Sequence, residues 1–169
     1  MVVLCDSQGK ALGEMEKMQA HREAHLHKAF SILIFNSQGQ ILLQKRAQTK
    51  YHSGGLWTNT CCGHPRPNED PAVAALRRLY EEMGMMCTLK KVLTFEYKAQ
   101  LDPQMTEHEI DEVFVGVSDE LPFPDPNEAE DFRYQSPEEI FKELEFAAQR
   151  YTVWFKILMT KLKEDNFFE

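Results

Sequence analysis

The stretch from Thr58 to Gly84, TNTCCGHPRPNEDPAVAALRRLYEEMG, constrains the rest of this chain more than any other. It joins an adjacent cysteine pair, a Gly-His-Pro turn and a strongly marked helix. Asp70 is a natural N-cap and Pro71 a natural first helical residue, because proline has no N–H to leave unpaired there. Val73, Leu76, Leu79, Tyr80 and Met83 recur at three- and four-residue spacing, which predicts one apolar face turned to a core. Gly84 stands where a left-handed C-terminal residue is wanted. Arg77 with Glu81, and Arg78 with Glu82, are four apart and share faces. Taken alone, these four charges fit a surface helix laced with ion pairs equally well.

Their spacing says more. Gly63, Glu69, Arg77, Leu79, Glu81, Glu82 and Gly84 resemble the Nudix box, a loop and helix whose glutamates hold a divalent metal against a diphosphate. One position departs: Arg78 stands where that family has a glutamate for metal binding or water activation. A guanidinium stays protonated and offers no lone pair. The resemblance therefore implies a diphosphate-holding helix without hydrolytic chemistry.

At 169 residues the chain is long enough for one domain with a proper core. Its 43% hydrophobic and 27% charged content are those of a globular protein. A net charge of −8 argues against general nucleic-acid binding, but leaves room for a small anion at a local basic cluster. No apolar run approaches the roughly 20 residues of a membrane span. MVVLCDSQGK lacks the character of a signal peptide. Cys5, Cys61, Cys62 and Cys87 make a poor disulfide framework, so the expectation is a reduced, cytoplasmic protein. A monomer without a membrane partner is expected as well.

Along the chain, Val2–Cys5 leads to a Ser-Gln-Gly turn and an amphipathic stretch from Glu14 to Arg22. His27–Asn36 reads as a buried strand, Ser37–Gln40 as a hairpin turn, and Ile41–Lys45 as the partner strand. Lys50–Leu56 is a loop, and strands are expected around Leu89–Tyr97 and Ile110–Ser118. LPFPDPNE (121–128) carries three prolines and must be a connector. Pro137 opens a helix to Leu144, and Ala147–Leu162 reads as a longer amphipathic helix. The interleaving predicts an α/β (α+β) fold, a mixed sheet between helical layers.

Histidines cluster early. His21 and His25 would share a helix face, whereas His25 and His27 would share a strand side. Glu107 and Glu109 flank His108 and fall on one side of a strand. Two or three imidazoles with two carboxylates suit a five- or six-coordinate Mn, Mg or Zn site. Lys17, Lys45, Arg46, Lys50, Arg77 and Arg78 flank these elements and could converge on phosphate oxygens.

EKMQAH, LHKAFS, QKRAQTK, GLWTNTCCGHP, the altered helix with Arg77-Arg78, and EHEIDEV together resemble the type I isopentenyl-diphosphate isomerases, a Nudix-fold family. The resemblance is good over about residues 11–117 and looser beyond. It implies Cys62 as the catalytic thiol, with Cys61 a non-catalytic neighbour. It implies Glu109 as the opposing acid/base, with Tyr97 hydrogen-bonded near it. His21, His27, His64, Glu107 and Glu109 are the implied ligands of a divalent metal. Glu82 is the implied ligand of a Mg²⁺ that arrives with the diphosphate, and Lys17, Arg46, Lys50 and Arg78 the implied phosphate-binding cations. Trp154, in TVWF without the proline common before it, is the implied aromatic wall. His25 lies where the family needs no ligand, and is expected to face solvent or to support the ligands.

The family reaction interconverts isopentenyl and dimethylallyl diphosphate. An unactivated alkene is protonated to a tertiary carbocation, and a proton leaves from the other side, so two acid/base groups are needed on opposite faces. An indole face can stabilise the cation by about 1–2 kcal/mol when desolvated. The rivals are an atypical Nudix diphosphohydrolase, against which Arg78 argues, and a non-catalytic metal-binding module, against which Cys62 with Glu109 argues. If Arg78 holds diphosphate, Arg78→Ala should raise KM and Arg78→Glu should raise it further, by setting an anion beside phosphates. Steady-state kinetics unchanged in both variants would return Arg78 to the solvated face.

Overall fold

The computed structural model describes residues 1–168. Its centre is β3 (His27–Phe35), buried on both faces, as its near-continuous apolar run requires. On one side β3 pairs in parallel with β8 (Met105–Val117), which pairs antiparallel with β7 (Lys90–Asp102). On another edge lie β1 (Val2–Cys5) and β2 (Ala11–Met15). The mixed sheet expected from the sequence is therefore present. β7 and β8 run several residues further towards each other than the sequence suggests, meeting at Asp102 and Met105.

The expected hairpin between β3 and β4 (Ile41–Arg46) is a fork. The two strands pair only at Phe35 and Ile41, then separate. β4 takes β9 (Ala129–Gln135) as its main partner, a strand hidden in the sequence by its polar composition and the prolines before it. The gap is filled by β5 (Trp57–Thr58) against β4 and β6 (Cys61–Gly63) against β3. The residues between them serve both edges. Thr60 Oγ1 accepts from Ile34 N at 2.9 Å and donates to the Leu42 carbonyl at 2.6 Å. Gln44 Nε2 donates to the Thr60 carbonyl at 2.8 Å, and Asn59 Nδ2 to the carbonyls of Ile32 and Cys61. Thr58, Asn59 and Thr60 are buried, so these bonds replace the ladder that the fork breaks.

Side-chain alternation divides the core in two. Phe30, Ile32, Ile34, Leu42 and Phe114 face α2 (Pro71–Met83), whereas Leu33, Ile41, Leu43 and Val113 face α3 (Pro137–Phe146) and α4 (Val153–Glu164). Asp70, Pro71 and Gly84 cap α2 as the sequence requires, Gly84 with φ +64°. The expected apolar face is corrected, however: Val73 and Tyr80 are 57% and 61% exposed, and the buried stripe is Ala74, Ala75, Leu79, Glu82 and Met83. Ala74 and Ala75 pack in one core cluster with Phe30, Ile32, Cys61 and Leu79.

The helix expected over Ala147–Leu162 is also corrected. A 3₁₀ turn at Ala148–Arg150 ends in extended Tyr151 and Thr152 before α4 begins. Thr152 N donates to the Trp57 carbonyl at 3.0 Å and Thr152 Oγ1 to Thr58 Oγ1 at 2.9 Å, so β5 captures the chain and overrides helical propensity. No described helix is long and apolar enough to cross a membrane. Thr60→Val removes the hydroxyl that serves both edges of the fork. It should cost about 2–4 kcal/mol, because two buried backbone groups lose their partner. Urea unfolding checks this, and a loss below about 1 kcal/mol would show that the fork does not depend on the bridge.

Candidate active site

The fork opens into a cavity of 420 Å³ on the α4 side of the sheet. Three adjacent strands build its floor. His27 on β3 stands directly beside Glu109 on β8, and Glu109 beside Tyr97 on β7. All three point to the same face, and Glu107 joins them two residues before Glu109. From the fork segment, Cys62 and His64 complete the floor. Adjacent residues on an extended backbone diverge, so Cys61 packs into the α2-side core while Cys62 lines the cavity. His21 comes from α1 (Lys17–Arg22), a short helix that Glu16 caps by accepting from Met18 N and Gln19 N.

His21, His27, His64 and Glu109 bring one ligand atom each within 4.8 Å of one another, a group able to hold a divalent metal. His27 Nδ1 donates to the His25 carbonyl at 2.8 Å, so Nε2 turns its lone pair inward. That atom is 3.2 Å from His64 Nε2 and 3.3 Å from Glu109 Oε1, and His64 Nε2 is 2.9 Å from the same oxygen. Both ring nitrogens of His21 are buried without a partner. An orphaned imidazole beside two others and a carboxylate is what a cation would complete. Burial lowers His21 to about 4 and His64 to about 3, so both are neutral, as ligands must be. His25 is half-exposed and bonds Glu23 at 2.9 Å, outside the group. Glu107 is outside it too.

The two carboxyls differ. Burial, with the charge of Glu109, pushes Glu107 well above the usual range. Burial would push Glu109 up as well, but bonds from His27 and His64 overcome it and hold Glu109 well below. Tyr97 Oη lies 2.6 Å from Glu109 Oε2 and 3.0 Å from Glu107 Oε2. The phenol has one proton to give, and its shorter bond is the one to Glu109. Opposed carboxyl states joined by one hydroxyl are a recognisable acid/base arrangement. Burial, and then the charge of Glu82, push the Cys62 thiol far up, so it keeps its proton.

Cations line the cavity as well: Lys17, Arg46, Lys50 and Arg78. Arg78 meets Glu81 at 2.7 Å, and also Glu82 and Glu128. Lys50 also bonds Glu128. Glu82 has its second oxygen held by Gln44 Nε2 at 2.9 Å. Lys45 turns away to Glu130 at 2.8 Å. Arg77 does not serve the cavity through its charge: it grips Glu69 in a bidentate pair at 2.8 Å, which with the Arg66 N–H holds Glu69 at about 2 and pins the turn before α2. Trp154, in the first turn of α4, lines the cavity, with Arg46 5.1 Å from its ring and His52 edge-on at 5.5 Å. Sequence reasoning missed His52, Tyr51, Ser31, Arg66 and Glu128, which also line the cavity. Only the proximity of Tyr51 and His52 to Lys50 in the chain hinted at them.

The NUDIX domain family matches residues 25–155. The isopentenyl-diphosphate Delta-isomerase of Pectobacterium atrosepticum is 46% identical over 163 residues, covering 96% of this chain and 91% of the relative. That of Photobacterium profundum is 48% identical over 160 residues, covering 91% and 89%. The chain belongs to the isopentenyl-diphosphate Delta-isomerase family. Among solved structures, DR0079 from Deinococcus radiodurans has a TM-score of 0.79 at 19% identity, covering 95% of this chain and 97% of that one; this likeness shows the fold alone.

Ligand geometry separates two neighbouring histidines. His27→Ala should abolish stoichiometric binding of Mn²⁺ or Zn²⁺, measured by elemental analysis of the purified protein, and His25→Ala should keep it. Metal lost from the His25 variant alone would overturn the assignment.

Proposed function

We propose that this chain interconverts isopentenyl and dimethylallyl diphosphate by proton addition and removal through a tertiary carbocation. The observation that carries the reading is the facing of Cys62 and the Tyr97–Glu109 pair into one cavity that Lys17, Arg46, Lys50 and Arg78 also line. Its supports are the near full-length identity to isomerases and Arg78 in place of a hydrolytic glutamate.

In this reading Lys17, Arg46, Lys50 and Arg78 bind the diphosphate through charge-assisted hydrogen bonds, and the isoprenoid carbons lie between Cys62 and Tyr97–Glu109. A proton adds to the terminal CH₂ carbon on one face, C3 becomes the cation, and C2 loses a proton on the other. Because the reaction runs both ways, each group is acid in one direction and base in the other. Trp154 screens the cation and, with the buried floor, excludes the water that would trap it. His21, His27, His64 and Glu109, with Glu107 nearby, would hold Mn²⁺, Zn²⁺ or Mg²⁺. A bound divalent ion there supplies positive charge that stabilises the Glu109 carboxylate. Glu82 would hold a Mg²⁺ brought by the diphosphate, after exchanging a partner it now has. In this reading residues 1–169 are one domain acting as a monomer. The four free cysteines support a reducing, cytoplasmic setting.

The test is deuterium uptake from heavy water into isopentenyl diphosphate, with Mg²⁺ and Mn²⁺ supplied. Cys62→Ala should reduce turnover at least about 10³-fold, as loss of an acid/base group does, whereas Cys61→Ala should keep most of it. Full activity of the Cys62 variant, or phosphate release without deuterium uptake by the unaltered chain, would sink the reading.

A further inference from the structure

We propose that Glu128 is a positioning residue of the diphosphate cradle, tying Lys50 and Arg78 into one preset pair. The inference rests on the isomerase reading for what the cradle holds. Lys50 sits on the loop between β4 and β5 and Arg78 on α2, and the segment that carries Glu128 lies between them: its Phe123 and Asp125 N–H groups donate to the Met83 and Glu82 carbonyls of α2 at 2.8 and 2.9 Å. Glu128 reaches both. Its Oε2 bonds Lys50 Nζ, and its Oε1 lies 3.2 Å from an Arg78 terminal nitrogen.

Glu128 is itself well anchored. Its N–H donates to the Asp125 carbonyl at 2.9 Å, and its carbonyl accepts from Ala47 N at 3.0 Å. Lys50 N donates to the carbonyl of that same Ala47 at 3.1 Å. The loop bearing Lys50 and the segment bearing Glu128 are thus one backbone-bonded unit, and the carboxylate is delivered to the cavity wall already aimed. Its side chain is 21% exposed and lines the cavity.

Two cations held near one small anion repel each other when the anion is absent, and lysine has four rotatable bonds with which to leave. A carboxylate between them removes both problems, at the cost of one donor from each. Lys50 keeps two N–H groups, and Arg78, which also meets Glu81 and Glu82, still has donors among its five. Glu128 therefore holds the pair without filling it, and substrate binding does not have to order these side chains.

The test compares Glu128→Gln and Glu128→Asp with the unaltered protein, by deuterium-uptake kinetics and by calorimetry with Mg²⁺-pyrophosphate. Glu128→Gln should raise KM about tenfold while kcat stays within about twofold, the signature of lost binding common to ground and transition states. Pyrophosphate affinity should fall by about the same factor, and Glu128→Asp, which keeps the charge, should recover part of it. In a Lys50→Ala background the Glu128→Gln change should shrink to within about twofold, because its route is already cut. A KM unchanged or lowered by Glu128→Gln, or an equal effect in both backgrounds, would overturn the proposal; a lowered KM would mean that Glu128 competes with phosphate. If the unaltered chain takes up no deuterium, the isomerase reading fails, and pyrophosphate calorimetry still decides the role of Glu128.

Discussion

The structure depends on a sheet that splits where strands would ordinarily close. After Phe35 and Ile41, β3 and β4 separate, and each exposes backbone groups that must find partners in a dry interior. Thr58, Asn59 and Thr60 supply them with side chains and backbone together. An apolar filler of the same volume would leave those groups orphaned, at about 1–3 kcal/mol each. Filling the fork with polar residues fixes the register of the chain from Cys61 to His64. Cys61 faces one core and Cys62 the cavity, and His64 is carried to Glu109. Chemistry at this site is a consequence of how the gap is plugged.

The same gap concentrates charge where burial makes it costly. Glu107, Glu109, Tyr97 and three histidines share one floor, most of them under a tenth exposed. The protein relieves this by keeping His21 and His64 neutral, pushing Glu107 up and holding Glu109 down through its bonds to His27 and His64. Its compensation is incomplete: the His21 ring nitrogens find no partner, and His27 and His64 turn Nε2 atoms towards each other at 3.2 Å. A divalent cation at that point would satisfy all of them at once, so the cost of gathering these groups and the affinity for metal have one origin.

Much of this is legible in the sequence, for reasons that differ by residue. The helix from Pro71 to Met83 announces itself through Asp70, Pro71 and Gly84, whose conformations are local and need no partner. Its buried face departs from the periodicity, which weighs large apolar side chains and passes over Ala74 and Ala75, both of which α2 buries. The fork is invisible for a related reason. Ile41–Arg46 is a strand in any reading, but its partner β9 lies far along the chain and is polar. The break at Tyr151 and Thr152 is likewise imposed from outside, by the backbone of Trp57. In the site, residues inside compact motifs can be singled out. Glu128 and His52 cannot, since a proline-rich connector and a glycine loop give no sign of what they will face.

Arg78 shows how little need change for a diphosphate-binding fold to change its chemistry. A carboxylate there would add a third anion to Glu81 and Glu82 and draw metal towards the phosphates, which favours attack by water. The guanidinium does the reverse. It takes Glu81, Glu82 and Glu128 as partners and turns an acidic helix edge into part of a cationic wall. In the isomerase reading the catalytic burden then shifts across the cavity, from α2 to the floor that Cys62, Tyr97 and Glu109 line together. Water, the reagent of a hydrolase, becomes the contaminant of a carbocation, and a floor of buried residues under Trp154 suits the second chemistry and not the first.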